Sequence, residues 1–343
     1  MTPRVEILIP THDHALLLPF AVASAQEQSV PAARIVVIGD GVGDDTRDVM
    51  TDLCRDDADL VFVDLPKAGR TGERHRHRML VDSSADVVTY HSDDDLLFPD
   101  HVEQMLALLE RADVVMPMGA NIRPDGVVES SPWSLGEEPG RTMALGGTSL
   151  FSLSGITHTM AAYRRLPFGW RDTPDGFYTD QYMLLQFLGE EWCRFDVGDV
   201  PSTVHLADSL RRDMTPSERF EELREVDAWM RTRGGWAEYR RLAQRHLRRT
   251  AAEGLVGRHA LSEELASASH RNEELSARLG EMAVREADLA ARCETAEQTV
   301  SALVHALDAR TREVDALRSS RAMRLRDALV GNRFVRRSSV GRR

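Results

Sequence analysis

Short β-branched runs alternate with stretches of helical spacing over the first third of the chain. "VEILIP" (5–10), "RIVVIGD" (34–40), "LVFVDL" (60–65), "DVVTYHS" (86–92) and "DVVMPM" (113–118) are nearly continuous apolar runs, the pattern of parallel strands buried on both faces. Helices are predicted between them, over 16–28, 44–55, 72–84 and 100–111. Such alternation predicts a doubly wound α/β sheet, whose ligands gather at the carboxyl ends of the strands. His12, Asp13, Asp40 and Asp93 to Asp95 all fall at those ends.

Residues 119–157 are rich in Gly, Pro and Ser and read as loops with short strands. An amphipathic helix is predicted over 178–192 with Thr179 as N-cap. Another, over 215–250, opens with Thr215 as N-cap, Pro216 at the first helical position and Glu218 completing a capping box. From Leu261 the apolar positions settle into steps of four and three. The seam runs Leu261, Leu265, Ala268, Asn272, Leu275, Leu279 and onward to Leu317, apolar everywhere but Asn272, Glu286 and Arg310. A 3.5-residue period held over roughly eight heptads predicts a coiled coil rather than a helix folded back on the domain. Asn272 falls at an a position, where a buried polar residue favours a two-stranded, in-register coil, so a parallel homodimer is expected. The domains are therefore drawn at 1–212 for the α/β body, 213–257 for a helical extension, 258–318 for the coiled coil and 319–343 for a basic tail.

A hydrophobic content of 42% over 343 residues fits a folded globular protein. The net charge of −12 hides an asymmetry, because the residues after Leu317 carry nine arginines against the single acid Asp327. An acidic body argues against nucleic acid as partner. The tail, with Leu325, Leu329 and Val330 or Phe334 on one face, suits an anionic membrane surface; a disordered solubilising end is the alternative. Cys54, Cys193 and Cys293 lie far apart without metal-ligand spacing, as in reduced cytosolic proteins. The opening "MTPRVEILIP" is too short an apolar run for a signal peptide, and no stretch approaches a membrane span. A cytoplasmic protein, peripheral at the inner face of the cell membrane, is expected.

The chemistry concentrates at "HSDDDLLFPDH" (91–101), where Asp93, Asp94 and Asp95 stand at a strand end. Three packed carboxylates repel, and a hard divalent cation such as Mg²⁺ or Mn²⁺ turns that repulsion into affinity. A solvated turn in which Asp95 or Asp100 caps the next helix is the alternative.

Several of these motifs together carry a resemblance. "VEILIPTHDHALLLPFAVASAQEQSVPAARIVVIGDGVGDDT" resembles the opening of family 2 glycosyltransferases, in which a strand ending in "IPTYNR" is followed by a helix, a second strand and "VDDGSTDDT". "GRTGERHRHRMLVDSSADVVTYHSDDDLLFPDHVEQM" is similar to their "G…ARN…A.GEYI.FLDADD…P..L" segment, and the resemblance covers about residues 4 to 210. It implies a GT-A fold, the mostly parallel, helix-flanked sheet of nucleotide-diphospho-sugar transferases, here followed by a helical region and the coiled coil. It also implies inverting transfer of a hexosyl or related sugar from a nucleotide-diphosphate donor, with Mn²⁺ or Mg²⁺, to a glycan or lipid-linked hydroxyl acceptor in surface polysaccharide or glycoconjugate synthesis.

Residue by residue, the resemblance implies a nucleotide site at Pro10, Thr11, His12, Asp13 and Asp40, with Gly39 standing where the family has an acid. Arg76 and His77 match its Arg–Asn pair beside the diphosphate. In the D-x-D-D register Ser92 takes the first acidic place and Asp94 and Asp95 the closing pair, while Asp93 and Asp95 also satisfy a plain D-x-D. Asp95 is the expected direct metal ligand, with Asp93 touching ribose or metal-bound water and Asp94 beside them. Asp180, in "TD" at the start of an apolar helix, matches the family's catalytic base, and its alternative is a purely helix-capping role. His205 is a further metal-ligand candidate, Arg211 and Arg212 either close on the diphosphate or face solvent, and "SGITHTMAAYRR" (154–165), with His158, lines the acceptor side. Two other readings compete: an inactive coiled-coil scaffold with a glycosyltransferase-like domain, and a nucleotidyltransferase, whose glycine-rich "GxGTRxxP"-like loop "IPTHDH" lacks.

Overall fold

The computed structural model describes residues 3–131, 133–148, 152–319, 322 and 324–330. Phe334 and the arginines from 333 onward, part of the expected basic tail, lie outside the described residues. The predicted alternation is present with ends trimmed by a residue or two. It runs β1 (Val5–Thr11), α1 (Leu18–Gln26), β2 (Arg34–Asp40), α2 (Asp44–Leu53), β3 (Leu60–Leu65), α3 (Glu73–Asp82), β4 (Val87–Tyr90), β5 (Leu96–Leu97) and α4 (His101–Leu109). Then come β6 (Val114–Met116), β7 (Ala120–Ile122), β8 (Val128–Ser130), α5 (Glu138–Leu145), β9 (Thr157–Thr159), α6 (Met160–Tyr163), α7 (Thr179–Leu188), β10 (Phe195–Val197), β11 (Thr203–Val204), α8 (Pro216–Met230) and α9 (Gly235–Ser319).

Seven strands form one sheet in the order β10-β6-β9-β4-β1-β2-β3. All its pairings are parallel except the two made by β9, which runs antiparallel to both β4 and β6. Alternate residues of the same strands feed separate cores, as the pleat requires. Ile7, Ile9, Ile35, Val37 and Val87 meet Leu18 and Val22 of α1, Met50 of α2 and Val102 of α4 on one face. Leu8, Val36, Ile38, Val88 and Tyr90 meet Leu80 of α3, Met160 of α6 and Met183, Leu184 and Phe187 of α7 on the other. This is the mostly parallel, helix-covered sheet that the alternation predicts.

The chain divides into two compact units, with the second beginning at Gly257. Within the first, Leu223, Val226 and Met230 of α8 and Tyr239 and Ala243 of α9 share a third core with Leu17, Leu96, Phe98 and Met118. The helical extension is thus part of the body's packing. The Thr215–Glu218 capping box is formed as read, whereas Thr179 is not a cap: α7 begins at Thr179 with Tyr178 in the capping position and no side-chain cap bond. In the second unit the helix is continuous to Ser319, and its seam residues, among them Leu261, Leu265, Leu275 and Leu279, are exposed. Among the described residues, no helix is long and apolar enough to cross a membrane.

Candidate active site

The carboxyl ends of β1, β2 and β4 open into a cavity of about 540 Å³. Its lining brings together Pro10, Thr11, His12, Asp13, Asp40, Arg76, Asp93, Asp94, Asp180 and His205, ten of the residues singled out from sequence. It also contains residues that the sequence reading passed over: His14, Lys67, Thr71, Ser152, Tyr178, Asp208 and Ser209. Two expected site residues are absent from the lining. His77, one position beyond Arg76 on α3, is turned away and bonds the Tyr163 hydroxyl through Nδ1 at 2.8 Å. Asp95 lies behind the wall, 0% exposed.

The Asp95 carboxylate is fully engaged there. Its Oδ1 accepts the Leu206 N–H at 3.0 Å, its Oδ2 accepts the Ser154 hydroxyl at 2.5 Å, and His205 Nδ1 lies 3.0 Å from Oδ2. The cause is local pairing: β11 runs antiparallel to β5 with Val204 opposite Leu96, so the next residue outward on each strand, His205 and Asp95, also meet. Burial alone would raise the Asp95 pKa, but the charge and bond of His205 and the Ser154 and Leu206 donors outweigh it and hold the acid below its ordinary range. Burial likewise opposes the charged His205 ring, and Asp95 overcomes it, lifting His205 to about 9.

Asp93 and Asp94 face the cavity. His14 Nδ1 bonds Asp93 Oδ1 at 2.9 Å, and Arg219 of α8 donates from Nη2 to Asp94 Oδ2 at 2.6 Å. Burial, then the charges of Asp95 and Asp93, push the Asp94 pKa upward, the behaviour of acids crowded together, while His14 pulls it back. Ligand atoms of His14, Asp93 and Asp94 lie within 4.8 Å of one another. Two carboxylates and one imidazole suit a hard-to-borderline divalent ion such as Mn²⁺.

Arg76 is the buried guanidinium of the cavity lining. It is 5% exposed, its guanidinium lies 4.8 Å above the Trp170 ring, and its Nε and Nη1 have no hydrogen-bond partner. Thr11, on the same lining, also has a buried hydroxyl without a partner. Asp40 is occupied: Lys67 Nζ and the Ala68 N–H both donate to it, at 2.5 and 2.6 Å. Burial would raise its pKa, but these partners outweigh that and lower it. Gly41 makes this approach possible, since its φ is +67° and a Cβ there would lie 2.6 Å from Lys67 Cβ. Asp180 sits in the first turn of α7, with Oδ1 accepting the Gln181 N–H at 2.8 Å. Its pKa is raised by burial, against the opposing pull of the backbone donors, Arg76 and His205.

Two peripheral expectations are corrected. His158 lies in the core, 0% exposed, bonding the Tyr90 hydroxyl at 2.8 Å and stacking on Tyr163, so it lines no acceptor surface. Arg211 neither closes on the cavity nor faces solvent: it is buried and paired with Glu222 and the Ile122 carbonyl. Arg212 lines a neighbouring cavity of about 450 Å³ that shares Ser152, Tyr178, His205, Ala207 and Ser209 with the first.

Comparison with known proteins adds a family. Residues 6–169 match glycosyl transferase family 2. A 95-residue stretch is 28% identical to the GalNAc(5)-diNAcBac-PP-undecaprenol beta-1,3-glucosyltransferase of Campylobacter jejuni subsp. jejuni, covering 28% of this chain and only 31% of that enzyme. Among solved structures, S. aureus TarS 1–349 in complex with UDP-GlcNAc superposes with a TM-score of 0.49 at 16% identity, over 71% of each chain. Another S. aureus TarS 1–349 structure gives 0.46 at 14% identity, over 71% of this chain and 70% of that one. The matched segment runs from β1 to the approach of Trp170 and includes Arg76 and the aspartate triplet, so it is this part of the chain that is similar to glycosyl transferase family 2.

Proposed function

We propose that the cavity binds a nucleotide-diphosphate sugar together with a divalent cation and transfers the sugar to an acceptor hydroxyl with inversion at the anomeric carbon. Arg76 carries this reading: a buried guanidinium with two unpartnered nitrogens shares a cavity with the acid pair Asp93 and Asp94. A diphosphate is the kind of anion that a guanidinium and a carboxylate-held cation grip together. Pro10, Thr11, His12, Asp13 and Asp40, at the ends of β1 and β2, receive the nucleoside. His77, turned to Tyr163, takes no direct part.

Asp93 and Asp94, with His14, would hold Mn²⁺ or Mg²⁺ in this reading, and Asp95 braces them from behind the wall with His205, on the lining, bonded to it, a different division from the sequence expectation that Asp95 is the direct metal ligand. The bound cation supplies Lewis acidity to the leaving diphosphate. Asp180 accepts the acceptor's proton as the oxygen bonds to the anomeric carbon, and the electron pair of the breaking bond leaves with the diphosphate. A carboxylate whose pKa is raised by burial is a better base for this purpose than an exposed one.

The match to an enzyme named for an undecaprenol-linked glycan supports a glycan or lipid-linked acceptor. The exposed seam of α9 supports a homodimer, and Leu325, Leu329 and Val330, all exposed, support peripheral membrane contact, to be tested by flotation with anionic liposomes against a chain stopped at Leu317. The functional test is nucleotide release from UDP-, GDP- and dTDP-sugars in Mn²⁺. Asp180→Asn should lower turnover about 10²- to 10⁴-fold while leaving nucleotide affinity unchanged. Retention in the product, read from NMR couplings, or full activity in Asp180→Asn would refute the mechanism.

A further inference from the structure

Arg219 belongs to α8, beyond the matched family segment, and nothing in its sequence surroundings marks it for chemistry. Its guanidinium nevertheless reaches the acid cluster at the cavity wall. Nη2 donates to Asp94 Oδ2 at 2.6 Å, while Nη1 lies 2.7 Å from Asp208 Oδ1 and 3.2 Å from His14 Nε2. The side chain is 14% exposed, so these are sheltered contacts rather than a surface ion pair. His14 is itself bonded to Asp93. One resident cation is therefore fitted among the three groups suited to a metal ion, beside a cavity in which Arg76 is buried with unpartnered nitrogens.

A divalent ion held by Asp94 would compete with Arg219 for that carboxylate, and like charges this close repel. The competition has a resolution in the chemistry of the donor. With a divalent ion on Asp94, the guanidinium would stay anchored at Asp208, and the diphosphate of a donor in the same cavity would be the next anion within its reach. Arginine suits both positions, since its planar fork pairs with a carboxylate and with a phosphate in the same manner.

We propose that Arg219 is a donor-positioning residue that exchanges Asp94 for the donor's diphosphate: it neutralises Asp94 in the free protein and holds phosphate oxygens in the loaded one. The inference rests on the donor reading above and adds a residue from α8 to the site. It requires two effects of opposite sign, which a merely structural ion pair would not produce.

The test uses the full chain and its Arg219→Gln and Arg219→Lys variants. Mn²⁺ alone is titrated by the EPR signal of the free ion, and UDP and GDP are titrated calorimetrically at saturating Mn²⁺. Arg219→Gln should bind Mn²⁺ alone about fivefold more tightly, because a competing positive charge is gone. The same variant should bind the nucleoside diphosphate about tenfold more weakly, the worth of a charge-assisted contact. Arg219→Lys, whose compact ammonium lacks the planar fork that reaches Asp94 and Asp208 together, competes less for Asp94, should show the same two signs at smaller size, and carries the test if the Gln variant does not fold. Unchanged Mn²⁺ affinity, or Mn²⁺ and nucleotide affinities falling together, would overturn the exchange while leaving the donor reading intact. A wild-type chain that binds neither Mn²⁺ nor a nucleoside diphosphate would remove both.

Discussion

Replacing Arg76 by Met separates what the site demands from what the fold demands. In the free protein the guanidinium is 5% exposed with Nε and Nη1 unpartnered, and each such buried donor costs roughly 1–3 kcal/mol. Against this stand its position 4.8 Å above the Trp170 ring, worth about 2 kcal/mol when desolvated, and the attraction of the nearby Glu73 carboxylate. Met keeps most of the volume and regains part of the aromatic contact through sulfur, about 0.3–1.5 kcal/mol. The balance for Arg76→Met is near zero to about +2 kcal/mol in favour of the variant, so urea unfolding of the ligand-free chain should be no easier than for wild type. Nucleoside-diphosphate binding in Mn²⁺ should fall about a hundredfold, as expected for two lost charge-assisted bonds. A variant that unfolds markedly earlier yet binds nucleotide normally would show that Arg76 serves packing, and the diphosphate assignment would fall.

Gly41→Ala should destabilise by about 1–3 kcal/mol, since it combines a left-handed φ with a 2.6 Å approach to Lys67; an unchanged unfolding midpoint would mean the Lys67–Asp40 loop moves freely. His101 and His158 are buried, and that burial lowers their pKa values to about 3 and about 4. Because both folded values lie below the unfolded value, the unfolded chain takes up the protons: their stabilisation is complete above about pH 6.5 and declines as pH falls toward 4. Between pH 7.5 and 5.5 the loss should be roughly 1 kcal/mol per ring, read as the difference in urea stability between wild type and a variant lacking that ring, and the same pH slope in both would contradict it. The exposed seam of α9 predicts a dimer in sedimentation at micromolar concentration and a monomer when the chain stops at Val256; a full-length monomer would refute the coiled-coil reading.

The sheet was legible because its strands are buried on both faces and read as continuous apolar runs, and because β1, β2 and β4 end in residues that packing alone would not select. Helix α5 was not, since "EPGRTMAL" lies in a Gly- and Pro-rich stretch whose helical start, Glu138 followed by Pro139, is drowned by its neighbours. At the site, Asp40, Arg76, Asp94 and Asp180 could be named from motif spacing. Their neighbours' orientations could not. One helical step turns His77 away from Arg76, and the β5–β11 pairing draws Asp95 behind the wall, an arrangement set by a contact 110 residues apart in sequence. His14 carried a faint signal in the alternation of "THDH". Arg219 carried none, because only the packing of α8 on the body brings it to Asp94.

The most direct measurement is the unfolding temperature of the full chain with UDP-, GDP- and dTDP-sugars, each with and without Mn²⁺. At a ligand concentration of about 100 Kd, binding adds about 2.7 kcal/mol, a rise of roughly 5–10 °C. That rise is expected for at least one nucleotide sugar, only with Mn²⁺, and should be lost in Asp94→Asn. No shift with any nucleotide sugar in Mn²⁺ would contradict the account and leave a glycosyltransferase-like domain that binds no donor.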